Sequence, residues 1–438
     1  MKLIHSQSRL AGAVLGAAVG VAALSVPVVQ ADAAEPLKVG FVGFLTGGGA
    51  GTTGIPARDA ADMMILEFNK GGVPAPYNTP SFGGYEIEPI YVDEAGGNTK
   101  LVQEVRNLVQ RRGVDAIIGF TSSGSCVAIA PVAEELKITT VMFDCGTPRI
   151  FEDASYEYVF RPTAHGTMTA VGAARYVNEV FPQTKSIAGL NQNYAWGQDS
   201  WRDFKLAMNS IMPAVEAKSE LFPKLFQGQY ASEISKMLNE KPDVVFSSMW
   251  GGDLEAFMVQ STARGLTNRS KLVLTIAEII MYRLQDKVPE GAIVGGRAAY
   301  GVMARDTELN RWFRKNYEER YERKPTYPAY EMAQSVLFFK IAADKAQAAN
   351  GGKPASMAQI REQMVGLEFE AFGTHVKMAL GNGHQAISEA AYGQFHLDPQ
   401  KGPMLTNIRY FDPHCVMPPE GMKSADWLKQ GMPGADNC

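Results

Sequence analysis

Residues Lys38–Gly54 read KVGFVGFLTGGGAGTTG. An apolar run, the last part of a buried-type strand over Leu37–Leu45, goes straight into a glycine-rich turn. Gly49-Ala50-Gly51-Thr52-Thr53-Gly54 satisfies the spacing G-x-G-x-x-G of a dinucleotide fingerprint. That reading fails downstream. The acidic ribose ligand should follow roughly 20 residues after the glycines, and the candidate, Asp93, lies about twice that far on. The intervening NKGGVPAPYNTPSFGG is a loop insertion. A P-loop is excluded because no Gly-Lys-Ser/Thr follows the glycines. What survives is physical: glycines at a strand end expose backbone N–H groups beside a helix N-terminus, which suits an anionic or carboxylate ligand.

The pattern continues outward as strand and helix in alternation. Ala57–Asn69 has helical period, Tyr85–Asp93 alternates as a strand, and Asn98–Arg111 is a helix. Ala116–Phe120, a helix over Ala128–Glu135 and the strand Thr139–Phe143 complete a β-α-β-α-β-α-β series. Such a series predicts a parallel, doubly wound sheet. Near Tyr158–Pro162 the pattern restarts, with helices over Thr167–Val180, Gly197–Met208 and Asp253–Arg264. The strands between and after them are Ser186–Leu190, Val244–Ser248 and Lys271–Ile276. Glu308–Arg323 and Ala329–Ala349 are further helices, and Met332, Val336, Phe339 and Ala343 read as core. Beyond Leu380 only short strand-like pieces such as Ala391–Leu397 stand out, followed by a tail.

Composition narrows the class. A chain of 438 residues suggests about two or three domains, and 46% hydrophobic with 20% charged residues is a globular balance. The net charge of -4 without a basic patch argues against nucleic acid as a partner. At the N-terminus Lys2, His5 and Arg9 precede a run of small and apolar residues over Leu10–Val29, and Ala31-Asp32-Ala33 supplies an A-x-A signal. Residues 1–33 are expected to be a signal peptide cleaved after Ala33. The mature chain is then expected in the periplasm. No Cys closely follows the apolar run to carry a lipid, and no later apolar run reaches the ~18 residues of a membrane span. Four cysteines, Cys126, Cys145, Cys415 and Cys438, fit an oxidising compartment and allow three pairings. Sequence proximity favours Cys126–Cys145 and Cys415–Cys438. No C-x-x-C occurs, so zinc is disfavoured.

Further strand ends share the character of the glycine turn. Ile117–Phe120 runs into Thr121-Ser122-Ser123-Gly124-Ser125, and Val141–Asp144 into Cys145-Gly146-Thr147-Pro148. In doubly wound sheets ligands bind outside the carboxyl ends of the strands. Hydroxyls and free N–H groups there suit a carboxylate, while ordinary helix capping by Ser and Thr is the competing explanation.

These stretches together resemble the type I periplasmic binding proteins, the leucine/isoleucine/valine-binding family of ABC importers. LTGGGAGTTGIPARDAADMMILEFN with Asn69-Lys70-Gly71-Gly72 is similar to the family's first turn, helix and "N..GG". Ile118–Ser123 resembles "IG..SS", and Asp144–Pro148 resembles "S..AT.P". VFRPTAHGTMTAVGAARYV, NQNYAWGQDSWRDFK and KPDVVFSSMWGGDLEAFMVQSTARGL resemble the first hinge and two second-lobe segments. The resemblance implies an α/β fold of two doubly wound lobes joined by three crossovers, with the ligand closed between them. Lobe 1 maps to 37–159 plus 297–370, and lobe 2 to 160–296 plus 371–438.

It also implies roles. Ser123, with Ser122 and Ser125 beside it, matches the hydroxyl region that binds a ligand carboxylate. Cys145, Gly146 and Thr147 match the loop that grips carboxylate and ammonium. Trp196 and Trp250 match aromatic positions lining lobe 2, and Glu278 falls near the acid that pairs the ligand ammonium; the competing reading of Glu278 is a solvated surface glutamate. The sequence departs from the family in its Cys126–Cys145 pair, in tryptophans where tyrosines are usual, and in a longer tail. A Cys126–Cys145 bridge would stiffen the pocket floor, and the tryptophans favour a flat or bulky apolar ligand part. The implied function is a monomeric solute-binding protein that passes a small carboxylate to an ABC permease, an amino acid first, an aromatic acid, amide or urea as the alternative. No cofactor, metal or enzymatic role is implied. No G-x-S-x-G or H-E-x-x-H occurs. His375 and His384 could meet across a turn, but a polar hairpin is favoured there. A receptor ectodomain is the remaining alternative, disfavoured by the lack of a later membrane span and of a signalling domain.

Overall fold

The computed structural model describes residues 34–435 and 438, and the expected signal peptide lies outside them. The first part of the chain is β1 (Leu37–Gly43), α1 (Ile55–Lys70), β2 (Ile87–Asp93), α2 (Asn98–Gln110), β3 (Ala116–Gly119), α3 (Ser123–Leu136), β4 (Thr139–Met142), α4 (Arg149–Asp153) and β5 (Val159–Phe160). Its sheet is parallel, in the order β2-β1-β3-β4-β5. β1 pairs on both edges, and all of its residues but Lys38 are buried, which is why it reads as a near-continuous apolar run. α1 ends where Gly71 turns left-handed, at φ 70, and its N–H returns to Glu67 and Phe68.

The second part comprises α5 (Gly166–Val180), β6 (Ser186–Leu190), α6 (Ala195–Ile211), β7 (Glu216–Leu221), α7 (Ala231–Glu240), β8 (Val244–Ser247), α8 (Gly251–Ala263), β9 (Lys271–Leu274), α9 (Glu278–Leu284) and β10 (Ile293–Gly295). The chain then returns to the first lobe as α10 (Glu308–Tyr321), α11 (Tyr327–Ala349) and α12 (Met357–Met364). α11 packs along α1 and is buried nearly all round, which explains its poor amphipathic period. A small antiparallel sheet follows, β11 (Glu368–Glu370), β12 (His375–Leu380) and β13 (Gln385–Ile387). The boundary expected between residues 370 and 371 falls inside this sheet, between β11 and β12; the chain passes to the second sheet only after β13.

β14 (Ala390–Asp398) and β15 (Gly402–Phe411) then add a long antiparallel hairpin to the second sheet, ordered β15-β14-β10-β9-β8-β6-β7. The sequence showed only part of β14. β15 is mostly half-buried, with Thr406, Asn407 and Arg409 exposed, so it shows neither a continuous apolar run nor a clean alternation. The edge strand β7, EAKSEL, was missed for the same reason. The tail is not structureless: α13 (Pro413–Val416) and α14 (Ser424–Lys429) pack on α5 and α6. Arg175 holds the carbonyls of Cys415 and Ala435, and the Cys415–Cys438 bridge closes the tail. The other bridge joins Cys126 and Cys145, both fully buried. No helix among the described residues is long and apolar enough to cross a membrane.

Candidate functional site at the lobe junction

The glycine turn is where the two lobes meet. It winds through two tight turns, Gly47–Gly49 and Ala50–Gly54, before α1. A Cβ on Gly48 would lie 2.6 Å from the Phe226 ring, and one on Gly49 2.9 Å from Trp250. From the other lobe, a Cβ on Gly251 would lie 2.7 Å from the Gly48 carbonyl. The absent side chains therefore let lobe touch lobe. Phe44 from lobe 1 packs at 5.5 Å from Trp250 and 5.9 Å from Phe226, and these rings seal one side of the junction. Asp93 accepts the N–H groups of Leu45 and Thr46, so the acid tested as a ribose ligand instead orders the start of the turn.

Behind this seal a cavity of about 20 Å³ remains, room for roughly one water. The lobes are closed on each other. Lobe 1 contributes Thr121, Ser123, Asp144 and Gly146, with Tyr327 from the start of α11. Lobe 2 contributes Tyr194, Trp196, Trp250 and Ile276, and Arg297 comes from the crossover after β10. A larger cavity of about 450 Å³, lined by Phe181, Asp243 and Arg269, sits at the far edge of lobe 2, away from the junction.

Of the residues expected at the site, Ser123, Gly146, Trp196 and Trp250 line this cavity. Ser122, Ser125, Cys145, Thr147 and Glu278 do not, and each has an internal reason. The Ser122 hydroxyl accepts the N–H of Gly124 and caps α3. Glu94, fully buried, accepts the N–H groups of Thr121 and Ser122, both at 2.8 Å, and also engages Ser125. The chain's own carboxylate thus fills the N–H nest that a ligand carboxylate was expected to take. Burial pushes its pKa up to about 7 against those hydrogen bonds. The carbonyls of Cys145 and Thr147 both accept from Arg161 Nη1 at 2.7 Å. The Thr147 hydroxyl donates to Asp199 of lobe 2 at 2.7 Å, where Arg149 also forks onto the same carboxylate. These bonds clasp lobe to lobe beside the cavity.

Glu278 corrects the sequence reading twice. It neither faces the cavity nor meets solvent: it is 0% exposed at the start of α9. One oxygen accepts the Tyr327 N–H at 2.9 Å, and burial pushes its pKa up to about 8. His375 and His384 also part ways. His375 pairs with Glu368 and Glu370, while His384 stacks on Phe160 and meets the Val159 carbonyl.

The charged centre of the cavity comes from residues the sequence did not single out. Arg297 adopts φ +70, a left-handed backbone unusual for a bulky side chain. Its guanidinium donates to the carbonyls of Asp144 and Ala164 and lies 4.9 Å over the Trp196 ring. A Cβ on Gly146 would lie 2.0 Å from Arg297 Nη1 and 2.3 Å from Trp196, so glycine alone admits this stack. Arg297 Nε stands 3.4 Å from Glu331 and 3.8 Å from Asp144. Burial pushes both acids up, Glu331 well above the usual carboxylate range, while the Arg297 charge opposes the shift in each. Oδ2 of Asp144 and Oε2 of Glu331 are both buried without a hydrogen-bond partner among the described residues, and of the two acids only Asp144 lines the cavity. Asp144 stands directly before the quoted Cys145-Gly146-Thr147. Its position at a strand end was the one signal available. Both tryptophan N–H groups are satisfied within lobe 2, Trp196 by the Ser248 carbonyl and Trp250 by the Tyr194 hydroxyl.

Comparison with known proteins agrees with this two-lobed architecture. A family model described as periplasmic binding protein matches residues 36–401. The chain belongs to that family. Its curated relatives include the Leu/Ile/Val-binding protein homolog 4 of Brucella abortus, 24% identical over 267 residues. That match covers 58% of this chain and 60% of the relative's length. Among solved structures, a solute-binding protein of an ABC transporter from Rhodopseudomonas palustris, in complex with 3,4-dihydroxybenzoic acid, superposes with TM-score 0.74 at 20% identity. The superposition covers 86% of this chain and 98% of that one. A second R. palustris solute-binding protein, in complex with benzoate, gives 0.73 at 19% identity over 89% and 99% of the chains. A leucine-binding protein of Thermotoga maritima gives 0.70 at 16% identity over 86% and 99%. This is a family of binding proteins rather than of enzymes, and the periplasmic binding fold accounts for both lobes and their crossovers.

Proposed function

We propose that this chain is the periplasmic solute-binding component of an ABC importer, and that it closes on a small carboxylate bearing a hydrogen-bond donor, an amino acid first. The observation that carries the reading is Asp144 Oδ2, a buried carboxylate oxygen in the cavity wall without a partner among the described residues. A ligand ammonium would supply the missing donor, and burial would make that hydrogen bond a strong one. Arg297, in the same wall, is the counter-charge for the ligand carboxylate, and Ser123 contributes a hydroxyl. Asp144 takes the role first assigned to Glu278. As closed, the cavity holds roughly one water, so the lobes must part to admit a ligand, and the rings of Tyr194, Trp196, Trp250 and Tyr327 then favour a bulky or flat side chain. Those four rings also favour a second reading, an aromatic acid whose ring hydroxyl meets Asp144. The benzoate-type ligands of the fold relatives accord with it.

A thermal-shift screen of the refolded, ligand-stripped mature protein against amino acids, hydroxybenzoates and benzoate separates the two. A ligand at ~100 times its Kd should add about 2.7 kcal/mol to stability. Asp144→Asn is the deciding variant. Loss of amino-acid binding by tenfold or more, with benzoate unaffected, supports the ammonium role. Amino-acid binding unchanged in Asp144→Asn overturns it.

A further inference from the structure

A second cavity, of about 260 Å³, lies on the other side of the Cys145–Thr147 loop from the lobe cleft. Its walls come from α4, from the first crossover, from the β12–β13 turn and from the tail segment 418–423 just before α14. Arg161 lines it and is itself 0% exposed. Two of its guanidinium nitrogens are occupied: Nε donates to Gln385, and Nη1 to the carbonyls of Cys145 and Thr147. Nη2 is buried without a partner among the described residues. His165, also in the wall and 3% exposed, has an unpartnered Nδ1. A buried guanidinium without a carboxylate on it is a rare arrangement, because a desolvated charge is strongly unfavourable unless paired. Burial and the nearby Arg297 push its pKa down to about 9, so it still carries charge at neutral pH.

The acids around the cavity do not fill the gap. Glu152 accepts the N–H and hydroxyl of Ser424. Glu420 accepts the backbone N–H groups of Gly381 and Asn382. Lys423 pairs with Asp153. Both Glu152 and Glu420 are held by neutral donors; Glu152 attracts Arg161 from a distance and Phe151 lies under its guanidinium, but no acceptor reaches Nη2 among the described residues.

We infer that this tail cavity is a second ligand site, taking a small organic carboxylate whose oxygens are held by Arg161 Nη2 and whose body rests on Phe151 and Met422. The site is independent of what the lobe cleft binds. It is linked to the cleft through one side chain, since Arg161 also holds the carbonyls of the Cys145–Thr147 loop.

The test uses the disulfide-intact mature protein and 4-bromobenzoate. Crystals grown with the probe should show anomalous bromine signal in the tail cavity, with the carboxylate at hydrogen-bond distance from Arg161 Nη2. Ser155, exposed on the cavity rim, is the variant of choice, because Arg161 itself is built into the crossover. Ser155→Trp should remove that signal and weaken the corresponding calorimetric binding step tenfold or more. Bromine only in the lobe cleft overturns the tail site and leaves the cleft reading intact. Bromine in the tail cavity alone supports the tail site and counts against benzoates in the cleft. An unchanged signal and affinity in Ser155→Trp overturn the assignment.

Discussion

The two faces of the lobe cleft are built on opposite plans. The lobe 1 face is a fixed polar floor. Glu94 occupies the N–H nest before α3, Ser123 accepts the Gly146 and Thr147 N–H groups at 3.1 Å, and the Cys126–Cys145 bridge ties α3 to the same loop. The lobe 2 face is a wall of rings, Tyr194, Trp196 and Trp250, whose own polar atoms are satisfied within that lobe. A satisfied polar network is high-stakes: its members cannot be removed singly without stranding buried groups. An apolar wall is more forgiving, because its contacts are non-directional. The floor is therefore expected to set stability, and the meeting of wall and floor to set closure.

The largest expected effect breaks the floor. Glu94→Ala leaves two buried N–H groups without an acceptor, and at ~1–3 kcal/mol per stranded group the variant should lose about 3 kcal/mol in urea unfolding. A loss below 1 kcal/mol would mean that the nest is solvated and open to a ligand after all, reversing the account of why it is filled.

Next comes the contact between the lobes. Gly48→Val places a branched side chain against Phe226, and overpacking of this kind costs about 1–3 kcal/mol. Because the clash exists only when the lobes are closed, ligand affinity should fall roughly 10- to 100-fold while the unfolding midpoint without ligand changes little. Equal losses in both would place the glycines in the fold of lobe 1 rather than in closure.

The smallest effect concerns the clasp. Asp199 is buried, but Arg149 is 40% exposed, so solvent weakens their pair. Asp199→Asn keeps an acceptor for Thr147 and removes the charge. It should shift the open–closed balance by about 1 kcal/mol, read as a fivefold loss of affinity and a larger radius of gyration in solution scattering. No change in either would make the clasp a passive contact.

Much of the fold was legible in the sequence, and the reason is local. The strands β1, β3, β4, β6, β8 and β9 are buried on nearly every residue, so each reads as an apolar run between turn signals. Half-exposed strands such as β7 and β15 carry charges and stayed hidden. The site was legible only in part. Ser123, Gly146, Trp196 and Trp250 sit at strand or helix ends that the pattern located. Thr121, Asp144, Tyr194, Ile276, Arg297 and Tyr327 complete the cavity from segments up to 206 residues apart in the chain (Thr121 to Tyr327).

What the sequence determined by itself is the alternation of elements, the family, and the loops from which a site is drawn, because hydrophobic period and glycine placement are properties of short segments. What only the tertiary structure decided is which polar groups remain free. Glu94 closes the nest before α3, Glu278 turns away to hold α11, and Asp144 is left facing the cavity. Nothing in a linear pattern separates those three carboxylates. Their roles follow from the donors that folding brings beside each one, since a buried charge is governed by its nearest partners and not by its place in the chain.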